Sequence, residues 1–223
     1  FDKAFTEIIS IIPQATEGEI AQLREGVQDL SVAIGEDAVQ ATNALYTALG
    51  SGVPPENALS FLEVASRAAI AGVTNTEVAV DALTTTVASY GNKLVEWGDY
   101  TERAAHVSDI LFQTVKDGKA RFEEIAGALG NVVSTAATGN VSLEELGAAF
   151  ATMNIQGLSA DETATALNQT ILGMLSPSEK AADAFEQMKI NVEGFRTGGV
   201  SFTEIMQQII KATGGSAVEM LKL

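Results

Sequence analysis

The feature that most restricts what this chain can fold into is the regularity of its helix-start and helix-stop signals. Thr16 with Glu19, Asp99 with Glu102, Ser142 with Glu145, Ser159 with Glu162, Ser176 with Glu179 and Ser201 with Glu204 all carry the capping-box spacing. In that arrangement a short side chain accepts the amide three residues on, and the acid reaches back to the cap amide. Pro177 follows Ser176 and suits a first helical position, where its missing N–H costs nothing. Stops interleave with the starts. Gly35, Gly50 to Gly52, Gly72, Gly91, Gly118, Gly139, Gly157 and Gly214 each follow an apolar run, as expected where a left-handed residue ends a helix.

Together these signals predict helices over 2–12, 17–34, 36–49, 55–71, 76–90, 100–117, 121–137, 142–156, 160–175, 177–189 and 202–213. No run alternates convincingly with the period of a strand. Leu59, Leu62, Ala65, Ala69 and Ala71 form one apolar stripe, and Val107, Ile110, Leu111, Thr114 and Val115 form another. Short Gly-rich connections imply antiparallel neighbours. The predicted fold is therefore all-α: Ala/Gly-rich antiparallel helical hairpins packed as a multi-helix array.

With 223 residues the chain is long enough for a real core, and 46% of it is hydrophobic. Only 6% is aromatic, however, and much of the apolar content is Ala, so the core should be thin and rich in small side chains. The Gly91 to Gly98 stretch, which carries the only Trp (Trp97), and the Gly194 to Gly199 stretch are the boundary candidates. They divide the chain into a helical core module over 1–193, with a subdivision near 91–99, and a Gly-rich linker leading into a further helical segment over 194–223. A first residue that is not Met, and an ending at Met220-Leu221-Lys222-Leu223 just after a helix signal, read as a piece of a longer protein.

Thirteen basic residues against 29 acidic ones give a formal charge of −16, which opposes binding to phosphate backbones and anionic lipid. Without Cys there is no disulfide, thiolate metal site or cysteine nucleophile. His106, the only His, has Glu102 and Asp109 on adjacent rows of its helix and reads as a surface residue among helix-stabilising acids. Glu123-Glu124 and Glu144-Glu145 invite a glycosidase reading, but adjacent helical residues do not face each other. Both pairs fall in a first turn, where negative charge suits the helix dipole. Gly194-Phe195-Arg196-Thr197-Gly198-Gly199 lacks the Lys-Ser/Thr ending of a phosphate loop and reads as a flexible connection. No catalytic, cofactor-binding or metal-ligating residue is assigned, and no cofactor is expected.

Ile125 to Leu143 carries no charge, yet Asn131, Ser134, Thr135, Thr138, Asn140 and Ser142 interrupt it and Gly139 breaks it. A closely packed hairpin, with Ala126 and Gly130 letting backbones approach, explains it better than a membrane span. Setting Gly72 against Gly139 aligns Ala69 to Glu77 with Ala136 to Glu144, the pattern helix, glycine turn, capped helix used twice. Duplication and independent reuse of one kind of punctuation both account for it.

The order of features from Leu111 to Val192 carries more information than any one of them. It runs from Phe122-Glu123-Glu124-Ile125 and Leu129 to the turn Ala136-Ala137-Thr138-Gly139-Asn140-Val141-Ser142-Leu143-Glu144-Glu145-Leu146. Ala148-Ala149-Phe150, Gly157, Thr165, Leu167, Leu172, Leu175-Ser176-Pro177-Ser178 and Met188-Lys189-Ile190-Asn191-Val192 follow. Upstream, Ala44-Leu45-Tyr46, Gly50-Ser51-Gly52 and Ala68-Ala69-Ile70-Ala71-Gly72 fit the same style of Ala-rich hairpin. This ordered set resembles the core region of tape measure proteins from bacteriophage tails.

The resemblance implies a structural, non-enzymatic protein of the virion tail, active in tail assembly and tail-length determination and in genome delivery. Its implied partners are the tail tube protein, tail assembly chaperones and other copies of itself. It implies no specific nucleic-acid binding, membrane contact only during genome delivery, and residence in the host cytoplasm during assembly. A membrane-active helical module that opens a path for DNA is the alternative reading. A peptidoglycan-cleaving domain is the second alternative.

Overall fold

The computed structural model describes residues 1–215 and, among them, contains thirteen α-helices and no strand. They are α1 (Asp2–Ile11), α2 (Glu17–Ile34), α3 (Ala38–Gly50), α4 (Ala58–Gly72), α5 (Thr76–Tyr90), α6 (Tyr100–Gly118), α7 (Phe122–Leu129), α8 (Val133–Thr138), α9 (Leu143–Ile155), α10 (Ala160–Leu175), α11 (Glu179–Gln187), α12 (Val192–Arg196) and α13 (Phe202–Thr213). Short 3-10 turns occupy Pro55–Asn57 and Gly91–Trp97. The all-α expectation holds. Met220 to Leu223 lie outside the described residues.

The helix starts follow the sequence closely. Thr16, Asp99, Ser142, Ser159 and Ser201 each accept an amide of the first turn, and the acid three residues on returns to the cap. Ser176 does not. It closes α10, its N–H donating to Leu172 O, and the start of α11 moves to Ser178, whose hydroxyl accepts Ala181 N–H. The residue before a proline is disfavoured in helical conformation, so Pro177 acts as a separator here. The helix predicted over 121–137 is likewise two helices, parted at Gly130 to Val132. The stretch 91–97, read as loop, is a 3-10 turn that buries Leu94.

The helix stops differ from expectation in an informative way. At Gly35 and Gly157 the glycine itself is left-handed, with φ of 72° and 100°. At Gly72, Gly118 and Gly139 the next residue takes that conformation: Val73 at 53°, Lys119 at 53° and Asn140 at 55°. Those three glycines serve packing instead. A Cβ on Gly72 would lie 2.7 Å from Phe122 Cβ, one on Gly118 2.9 Å from Ala151 Cα, and one on Gly139 2.7 Å from Ile171 Cγ2. Gly130, expected to permit close approach, is exposed with open space around it.

A single corner recurs along the chain: a left-handed residue, one connecting residue, then a helix cap. The connecting residue donates its N–H five residues back, from Glu36 to Ser31, Thr74 to Ala69, Ala120 to Val115, Val141 to Ala136, Leu158 to Met153 and Ile190 to Phe185. This is the long bond of the Schellman closure, and it satisfies a carbonyl that the helix end would leave free. The echo between 69–77 and 136–144 is thus two instances of one backbone device. Because Lys119 and Lys189 use the device too, local stereochemistry accounts for the recurrence.

Packing is both sequential and crossed. α5 touches α3, α4, α6, α7 and α8, while α6 lies along α9, α4 along α6, and α1 along α3. Alanines at 41, 44, 48, 65, 68, 69 and 104 let these helices approach, and Phe5, Phe61, Phe122, Phe150 and Phe195, each essentially buried, anchor successive parts of the core. Each buried Phe is worth about 1.5–3 kcal/mol by burial alone. The stripe of α4 runs through Phe61, Leu62, Ala65, Ala68 and Ala69, while Ala71 is exposed. The Gly194–Gly199 stretch is held by α12 and by Gly199 and Val200 N–H groups donating to Gly194 O at 2.8 and 3.0 Å. α13 follows it, with Phe202 6.4 Å from Phe195, centroid to centroid.

Candidate functional site

Eight side chains with polar groups, Tyr90, Lys93, Glu96, Trp97, His106, Asn140, Ser142 and Glu144, line a cleft of about 300 Å³ among the 91–97 turn, α6 and the start of α9. The corner before α9 builds one wall. Tyr90, at the end of α5, donates its hydroxyl to Val141 O at 3.1 Å. The Lys93 ammonium donates to Ala137 O and, at 3.0 Å, to Asn140 Oδ1. Two side chains, one ending α5 and one from the 91–97 turn, therefore hold the 137–141 corner.

The other wall is aromatic. Trp97 stacks on His106 with centroids 3.6 Å apart and planes 12° from parallel. His106 Nε2 lies 3.3 Å from Glu144 Oε1 on α9, and the imidazole side chain is only 15% exposed. The expectation of a surface His steadied by acids of its own helix is thereby corrected. Its carboxylate neighbour comes from α9, and Glu102 instead accepts the cap amide of Asp99 at 2.9 Å. Sequence spacing along α6 carries no signal for a partner supplied by another helix. Trp97 and Glu144 were both visible as residue types but not as a group.

Electrostatics match the geometry. Burial pushes the Tyr90 phenol well above its ordinary range, and the nearby Glu144 and Glu145 charges add to this, so the hydroxyl remains a donor. Burial lowers the Lys93 ammonium. Partial burial pushes Glu145 up, but hydrogen bonds from Thr203 and Ser142 outweigh it and hold the carboxyl below its ordinary value. Ser142 is occupied as a cap, accepting Glu145 N–H at 3.1 Å. The polar groups of the cleft thus face one another and join three elements. The Glu123-Glu124 pair sits apart from it, with Glu124 accepting the Arg121 N–H at 3.1 Å. No group of His, Asp and Glu that could hold a metal ion occurs among the described residues, and no described helix is long and apolar enough to cross a membrane.

Comparison with known proteins says what sort of module this all-α body is. Residues 24–220 match the family described as phage-related minor tail protein. The chain belongs to that family. It is also 27% identical, over 97% of its length, to a protein named probable tape measure protein from Clostridium phage phiCD119. It is thus a phage tail protein similar to a tape measure protein, in line with the ordered motifs between Leu111 and Val192. The chain spans 23% of the length of that relative. No solved structure matches it.

Proposed function

We propose that this chain is a compact helical module of a tail tape measure protein, acting in tail assembly and length determination and in genome delivery. The observation that carries the reading is the extent of the likeness: the family match runs over 24–220, through the residues that form the helical core. On this reading its partners are the tail tube protein, tail assembly chaperones and other copies of itself. It works in the virion tail, and in the host cytoplasm while the tail is built. An acidic surface, with a formal charge of −16, suits a channel through which DNA must later pass without being gripped.

Geometry bears on how such a module contributes to length. Drawn out as one helix, 223 residues would span about 330 Å. Folded, a body of this size has a radius of gyration of about 17 Å. The longest described helix, α6, has 19 residues. The module as folded therefore bears on length through assembly rather than through a drawn-out span of its own. The test is an in-frame deletion of these residues from the full-length protein in the phage, with tails counted and measured by electron microscopy. Few tails, none of them shortened by about 330 Å, is the expected result. Shortening by that amount would show that the segment is drawn out in the tube, and an unchanged tail count would remove it from assembly.

A further inference from the structure

A groove of about 660 Å³ lies between the α1–α2 connection and the start of α4. Its apolar lining comes from Ile11, Ile12, Pro13, Leu23, Pro55 and Leu59. Every ionisable residue that lines this groove is acidic, namely Glu19 and Glu56.

The negative character is built in. Glu19 is held in place by the Thr16 amide and hydroxyl at 2.7 and 2.8 Å, and the first of these bonds leads in keeping its carboxyl below the ordinary value. Glu56 stands exposed in the 3-10 turn. α1 ends at Ile11, capped by Ile12 without a left-handed closure and with no basic residue in its last turn, so the carbonyl end of its dipole lies at this groove. Pro13 brings no N–H to that end. Arg24, beside Leu23 in sequence, is turned away: it pairs with Asp2 and lies 5.0 Å from the Phe1 ring centroid and 5.4 Å from that of Phe5. An apolar floor inside an acidic rim selects against nucleic acid and anionic lipid and favours a cationic amphipathic chain.

We propose that this groove seats an amphipathic helix of a protein partner, one that carries Lys or Arg beside its apolar stripe. The apolar residues of such a helix, at i, i+3, i+4 and i+7, would lie along Ile11, Pro13, Pro55 and Leu59, which keep surface in the groove, and its basic residues would meet Glu19 and Glu56. The inference is independent of the tail assignment, since it rests on the groove alone.

The experiment titrates the full chain into a labelled synthetic helix with Leu at i, i+3, i+4 and i+7 and Lys between, followed by fluorescence anisotropy. A peptide of the same composition with the Leu order scrambled controls for attraction to net charge. Glu56→Arg, an exposed change whose circular dichroism is checked against the parent, should weaken binding about tenfold. Glu186→Arg, an exposed reversal on α11, should leave it within about twofold. Ordered and scrambled peptides binding alike, or the two reversals acting alike, would overturn the proposal, because attraction would then be a property of overall charge. A benzophenone placed at Gln22 should cross-link the ordered peptide, and failure to do so would also overturn it.

Discussion

The Glu145 carboxylate, on the first turn of α9, accepts the backbone N–H of Thr203, on the first turn of α13, at 2.8 Å across 58 positions of sequence. Its other oxygen accepts Ser142 N–H at 3.2 Å, so one side chain serves two helix N-termini. Both dipoles favour the negative charge. Glu145→Ala should cost about 1 kcal/mol, given the partial exposure of the site, and the Thr203 amide should exchange hydrogen faster than the amides of α9.

The same contact has a pH signature. Because the carboxyl is held below its ordinary value in the fold, its contribution is present above the unfolded carboxylate range and disappears as pH falls through the lower folded value. Stability curves of the parent chain and of Glu145→Gln should therefore differ at neutral pH and converge in acid. A gap that widens on acidification would contradict the sign.

Val73 is 92% exposed and has φ of 53°, a conformation costly for a β-branched residue. Val73→Gly removes that strain without loss of burial. Glycine's greater freedom in the unfolded chain takes back part of the gain, leaving a net stabilisation of about 0.5–1 kcal/mol in thermal or urea unfolding.

Two classes of glycine can be separated by alanine. Gly118→Ala would place a methyl 2.9 Å from the Ala151 Cα, which is backbone, and should cost about 2 kcal/mol as α6 is pushed off α9. Gly127 and Gly173 sit in helices with open space around them, and alanine there should stabilise by up to about 1 kcal/mol. Chemical denaturation of the three variants checks both signs.

Trp97 is the only Trp and stacks on the only His, so its emission reports on one imidazole. His106→Ala removes the ring stacked on the indole and should shift the Trp97 emission to the red as the indole gains solvent contact, which steady-state fluorescence checks.

Much of the fold was legible because helix caps and stops are local chemistry. Five of the capping boxes read from sequence, at Thr16, Asp99, Ser142, Ser159 and Ser201, form as expected. Ser176 misled because its Glu at the right spacing was overridden by the proline between them. Gly72, Gly118 and Gly139 marked true helix ends for a reason the sequence does not display: they yield space to Phe122, Ala151 and Ile171, each from a different helix. The Trp97, His106 and Glu144 group stayed hidden for the same reason. Its members come from three elements, and their proximity follows from how α6 lies along α9 rather than from any spacing along the chain.

The recurring corner has a kinetic consequence. Each one closes through a hydrogen bond that reaches back only five residues, so the direction of the helix that follows it is fixed by residues already adjacent to it. Closing such small loops carries little entropic cost, and contacts of this range form early. A chain turned by such corners can acquire its bends during synthesis, in the order in which residues leave the ribosome, before the distant helices that will bury its alanines exist.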